Sequence, residues 1–127
     1  MTMFLAKLNE VLASKKTFIS DQLNLVSVAF ALLINIIHWA LLFIKIKPGN
    51  AAILLHYNVI SGPDLVDKSV YAYIVPATAL GVLIFNSILS AQLFRREKIA
   101  SYFLSFMGIP LQLIFLAATV VLIRINE

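Results

Sequence analysis

The chain has no cysteine among its 127 residues, so disulfides, thiolate catalysis and cysteine-ligated metals are excluded. Charge is also scarce: 13% of residues are Asp, Glu, Lys or Arg, where a soluble domain carries roughly 25%. Three long stretches, Leu23 to Ile44, Val70 to Phe94 and Ile99 to Ile123, hold almost all of this deficit. They leave one titratable side chain, His38, well inside a span. A path for ions or protons usually needs ionisable groups at depth, so packing is the favoured reading of the polar residues there. No internal repeat, low-complexity tract or separate soluble domain is present. Glu10, Lys15 and Lys16 interrupt the N-terminal apolar residues, so a cleavable signal peptide is not expected.

What the chain does have is apolar length. Hydrophobic residues make up 61% of it, and each of the three stretches exceeds the roughly 20 residues that cross a bilayer as a helix. Backbone groups in lipid must be satisfied within a helix or a closed barrel, and three segments cannot close a barrel. The expected fold class is therefore all-α and integral to the membrane. One membrane domain spans 1–127, with spans at 23–44, 70–94 and 99–123. Residues 1–20 are expected to form an amphipathic interfacial helix, with Phe4, Leu5, Leu8, Val11 and Leu12 on one face. Asp21 is a candidate N-cap for the first span.

Lys7, Lys15, Lys16, Arg95, Arg96 and Lys98 fall on one side of this topology, against Lys45, Lys47, Lys68 and Arg124 on the other. The excess places the N-terminus inside and the C-terminus outside. The same rule accounts for the net charge of +4, so nucleic acid is not an expected partner.

Each span carries a stripe of small and polar residues at alternating spacings of three and four. The stripes are Asn24, Ser27, Ala31, Asn35 and His38; Ala72, Pro76, Ala79, Leu83, Asn86 and Ser90; and Ser101, Ser105, Gly108, Gln112, Phe115 and Thr119. Such spacing keeps each set on one helix face. Small residues permit close backbone approach and amides hydrogen-bond across helices, so these faces should turn toward each other or toward a second copy. Asn35, His38, Asn86, Ser105, Gly108 and Gln112 are the expected packing face. Pro76 and the Gly108/Pro110 pair are expected to kink their helices.

The loop from Lys45 to Ser69 is long for so small a protein. Turn residues stand at Lys47-Pro48-Gly49-Asn50 and at Ser61-Gly62-Pro63-Asp64. Between them, "AAILLHYNVI" is too apolar for free solution and is expected to lie extended over the helix ends. Its backbone needs hydrogen-bond partners, which the same loop of a neighbouring copy can supply edge to edge. Asp67 or Ser69 is a candidate cap for the second span.

The run "HYNVISGPD", followed by Lys68-Ser69 and a span with Pro76, resembles the signature of a small membrane domain of unknown function. That domain is best known from Sdp-type toxin-immunity membrane proteins. The resemblance covers roughly residues 45–90 and implies a ligand or partner loop made by His56, Tyr57, Asn58, Gly62 and Asp64. This chain has Leu55 where the family has a proline, and its glycine stands one residue later. A bacterial cytoplasmic membrane is the expected location.

Neither catalysis nor metal binding is expected from this pattern. Ser61 and Ser69 lie near His56 in no recognised nucleophile arrangement, and no pair of ligands shares a helix at metal-binding spacing. No cofactor is expected. The expected partners are the lipid bilayer and either a second copy or another membrane protein. Two functions follow as expectations: a non-enzymatic protein acting through assembly, or an immunity-like protein binding an exported peptide or lipid-linked ligand through residues 53–69.

Overall fold

A computed structural model describes residues 1–7 and 17–127. Residues 2–7 are helical, and a 3-10 turn covers Phe18–Ser20. Leu8, Val11 and Leu12, the rest of the expected amphipathic face, lie outside the described residues. Three long helices follow: α1 (Gln22–Lys45), α2 (Ile74–Leu93) and α3 (Lys98–Ile125). All three are long and apolar enough to cross a membrane, the second counted from Ser69.

The start of α1 is capped as expected. Asp21 is extended (φ −84°, ψ 117°), and its carboxylate accepts the Asn24 N–H at 3.1 Å. Lys45 in the last turn sits at the negative end of the helix dipole. Pro76 occupies the first turn of α2, where a missing N–H costs no helical bond, so it breaks nothing. α3 continues without interruption through Pro110. α3 is central and packs along both α1 and α2, which touch each other far less.

The chain is mostly helical but not all-α. Between α1 and α2 lies an antiparallel hairpin, β1 (Ala52–Asn58) with β2 (Gly62–Lys68), and a 3-10 segment, Ser69–Tyr73, leads into α2. β1, for which the loop of a neighbouring copy is one available partner, pairs along one edge with β2 of its own loop. β2 reads "GPDLVDK", and its glycine, proline and aspartates signal a turn rather than a strand. The turn itself lies earlier, at Val59-Ile60-Ser61, and is largely apolar. Gly62 starts β2 at φ +82°, a conformation that side chains resist. Neither Asp67 nor Ser69 caps the second span. The Asp67 carboxylate accepts the adjacent Lys68 N–H, and the Ser69 hydroxyl donates to the Lys47 carbonyl.

The base of the hairpin seals one end of the bundle. Ile53 and Leu55 pack against a buried cluster of Leu42, Ile46, Ala72, Tyr73, Leu122 and Ile123. The Tyr73 hydroxyl donates to the Ile46 carbonyl, tying the second span to the end of the first.

Candidate functional site: a polar spine and an exposed hairpin

The three stripes face inward. Asn24, Ala31, Asn35, His38, Ala79, Leu83, Ser90, Ser101, Ser105, Gln112 and Thr119 are all buried, while large Leu, Ile, Phe and Val side chains on the opposite faces are exposed. At the α1 N-terminal end, the Ser90 hydroxyl donates to the Ser101 carbonyl at 2.7 Å. It also lies 2.8 Å from the hydroxyls of Ser101 and Ser105. Asn24 Nδ2 donates to Ser101 Oγ at 3.4 Å, and the Tyr102 hydroxyl donates to the Asp21 carboxylate at 2.9 Å.

Further along, Asn35 Nδ2 donates to Gln112 Oε1 at 3.0 Å and to the Pro76 carbonyl at 3.3 Å. Gln112 Nε2 donates to the Ala79 carbonyl at 2.7 Å, and Trp39 Nε1 donates to Asn35 Oδ1 at 3.1 Å. The Asn35–Gln112 pair therefore links all three helices. Interhelical bonds of this kind stabilise a membrane bundle by roughly 0.6 to 2 kcal/mol each. Nearest the hairpin, His38 Nε2 shares a hydrogen bond with the Thr119 hydroxyl.

These polar groups do not form a continuous path. Ala31, Leu83 and Gly108 meet between the serine cluster and the Asn35–Gln112 pair, where a Cβ on Gly108 would lie 3.4 Å from Leu83 and 3.6 Å from Ala31. Among the described residues, the buried atoms Asn24 Oδ1 and His38 Nδ1 have no hydrogen-bond partner. Asn86 differs from the rest of the expected packing face. It is only half-buried, and its side chain makes no hydrogen bond among the described residues.

The hairpin brings the expected loop residues together. In the register, His56 stands opposite Leu65, Tyr57 opposite Pro63 and Asn58 opposite Gly62. His56 Nδ1 lies 3.3 Å from Asp64 Oδ2, and the Ser61 hydroxyl donates to Asp64 Oδ1 at 2.7 Å. Asn58 Oδ1 accepts the Ile60 N–H at 2.9 Å, which folds the turn. Serine, aspartate and histidine are thus neighbours, but the aspartate stands between the other two. A general base activates a serine by touching its hydroxyl, and here the imidazole touches only the carboxylate. Among the described residues, no group of three or more metal-ligating side chains exists, and His38 and His56 serve separate regions.

Asn126 carries a role that the sequence did not reveal. Its side-chain amide accepts the Leu54 N–H and donates to the Leu54 carbonyl, both at 2.8 Å, as the backbone of an adjacent strand would. The same amide nitrogen donates to the Leu122 carbonyl in the last turn of α3. The outer edge of β1 is therefore occupied at Leu54. On β2, Pro63 has no N–H to offer a partner strand, and the Asp67 carboxylate already accepts the Lys68 N–H.

No family model, no curated protein and no solved structure matches this chain.

Proposed function

We propose that this chain is a small non-enzymatic membrane protein that acts through assembly, joining a second copy or another membrane protein. Asn86 carries the reading. The other amides well inside the spans, Asn24, Asn35 and Gln112, are buried and bonded to neighbouring helices. Asn86 lies seven residues before the end of α2, partly exposed and without a hydrogen-bond partner among the described residues. An unsatisfied amide facing hydrocarbon is costly, and a polar group on a neighbouring helix removes that cost. The interior stripes bond largely within one chain, which leaves the flank of α2 that carries Asn86 for the contact. The cation excess orients the turn at 95–98 inward and the hairpin outward.

The test is the mass and composition of the complex extracted into polymer nanodiscs, for the wild-type chain and Asn86→Leu. A discrete multiple of 14.1 kDa that dissociates in the variant supports self-assembly. One chain with a reproducible second membrane protein, lost in the variant, supports a subunit role. A lone chain in both cases overturns the reading.

A second reading keeps the resemblance to the immunity-protein domain, with the hairpin recognising an exported peptide or lipid-linked ligand. Its support is the exposed side chain of His56, held against Asp64 and Ser61 beside an apolar turn. Intact assembly with loss of protection or ligand binding in a His56→Ala, Asn58→Ala double variant distinguishes it from the first.

A further inference from the structure

Beneath the hairpin, on the side of α2, lies an open cleft of about 300 Å³. Leu55 and Leu65 of the hairpin form one wall, and Ile74 and Val75 of α2 with Leu122 of α3 form the other. Tyr71, Ala72 and Asp67 complete the lining, and Asp67 is its one charged residue. We propose that this cleft holds an acyl chain of a membrane lipid from the hairpin-side leaflet, with Asp67 receiving a cationic amine headgroup.

The position of the cleft selects its occupant. Leu65 stands well along the hairpin, opposite His56, yet it shares the cleft with the first turn of α2 and the last turn of α3. The hairpin therefore lies sideways against the helix ends instead of standing above them. The cleft lies at the hairpin-side ends of both spans, and its wall continues into exposed apolar surface: Ile74 is 58% exposed and Tyr71, in the 3-10 segment before α2, 44%. Molecules at that level present hydrocarbon chains below and charged headgroups above. The cleft has the matching order, with apolar walls and a carboxylate. Its volume falls at the lower end of small-ligand sites, about 300 to 1,000 Å³.

The tip of the hairpin fits the same placement. Val59 and Ile60 are 91% and 96% exposed, at a turn where polar residues are usual. Burial of two such side chains at the bilayer interface would hold the strand pair over the cleft. The lipid site does not depend on assembly through Asn86, since its lining excludes that residue.

The absence of cysteine makes a single introduced thiol unique. The full chain is placed in phosphatidylcholine nanodiscs with a bimane label at Ile74→Cys, on the cleft's rim, or at Ile114→Cys, an exposed position on α3. Chain-brominated phosphatidylethanolamine or phosphatidylglycerol is then titrated. Half-maximal quenching by the ethanolamine lipid is expected at about threefold lower mole fraction for Ile74→Cys than for Ile114→Cys, the size an exposed ion pair gives. Asp67→Asn should remove the preference for ethanolamine over glycerol. Val75→Phe, which fills the cleft, should abolish the excess quenching. In native mass spectrometry, the unlabelled wild-type chain should retain one ethanolamine lipid and Val75→Phe none.

Quenching that follows mole fraction alike at both positions and for both lipids overturns the proposal. So does lipid retention unchanged in Val75→Phe with normal helical circular dichroism. Failure here leaves the Asn86-dependent complex mass unaffected, so the two proposals fail separately.

Discussion

The interior of the bundle and the hairpin at its end use polar residues in opposite ways. Inside, Asn35, Gln112, His38 and the serines are buried and bonded to side chains or carbonyls of other helices. On the hairpin, His56, Asp64, Ser61 and Asn58 bond to one another or to the local backbone and remain open to solvent. The same chemical groups hold helices together where water is excluded and only shape a loop where it is not. Dielectric accounts for the contrast: an interhelical amide bond replaces an unpaired group in hydrocarbon, while an exposed pair replaces hydration.

Substitutions ranked by expected effect test this contrast. Gly108→Leu should be the most damaging, costing about 3 kcal/mol or more in unfolding from mixed micelles, because a Cβ there already touches Leu83 and Ala31. A loss below about 1 kcal/mol would mean that the helices do not meet as closely as described. Gln112→Leu should cost roughly 1 to 3 kcal/mol in the same measurement, since it removes two interhelical bonds, those to Asn35 and to the Ala79 carbonyl.

Asn126→Ala tests the junction between the two regions. Global stability should fall by only about 1 kcal/mol, whereas amide exchange around Leu54 should accelerate roughly tenfold while the spans stay protected. Uniform acceleration along the whole chain would show that hairpin and bundle open as one unit. His56→Ala should be the mildest, within about 0.5 kcal/mol, because its pair with Asp64 is exposed. A large loss of stability there would erase the distinction between interior and hairpin.

Much of the bundle was legible in the sequence. The expected spans match α1 and α3 within a few residues at each end, and the stripes at three-and-four spacing mark the buried faces. Periodicity is a local property, and a helix in lipid has few alternatives. The hairpin was only partly legible. Gly62-Pro63-Asp64 carries turn chemistry but lies in a strand, and the turn falls on Val59-Ile60-Ser61. Pairing with β1 overrode local preference, because β propensity depends strongly on the partner strand. His56, Asn58, Gly62 and Asp64 gather at one end of the hairpin. Asn126 gave no signal, since its partner Leu54 lies 72 residues away.

Composition and periodicity alone determined that this chain has three helices able to cross a membrane and which face of each turns inward. Both follow from the cost of exposing backbone and polar groups to hydrocarbon, which every segment meets by itself. Only the tertiary structure decided that α3 is the central helix, that the long loop pairs with itself, and that Asn126 closes its edge. It also separated Asn86 from the buried amides that bond across helices and laid the hairpin over an apolar cleft. Those outcomes depend on which distant groups come within hydrogen-bond reach, and no local pattern encodes that distance.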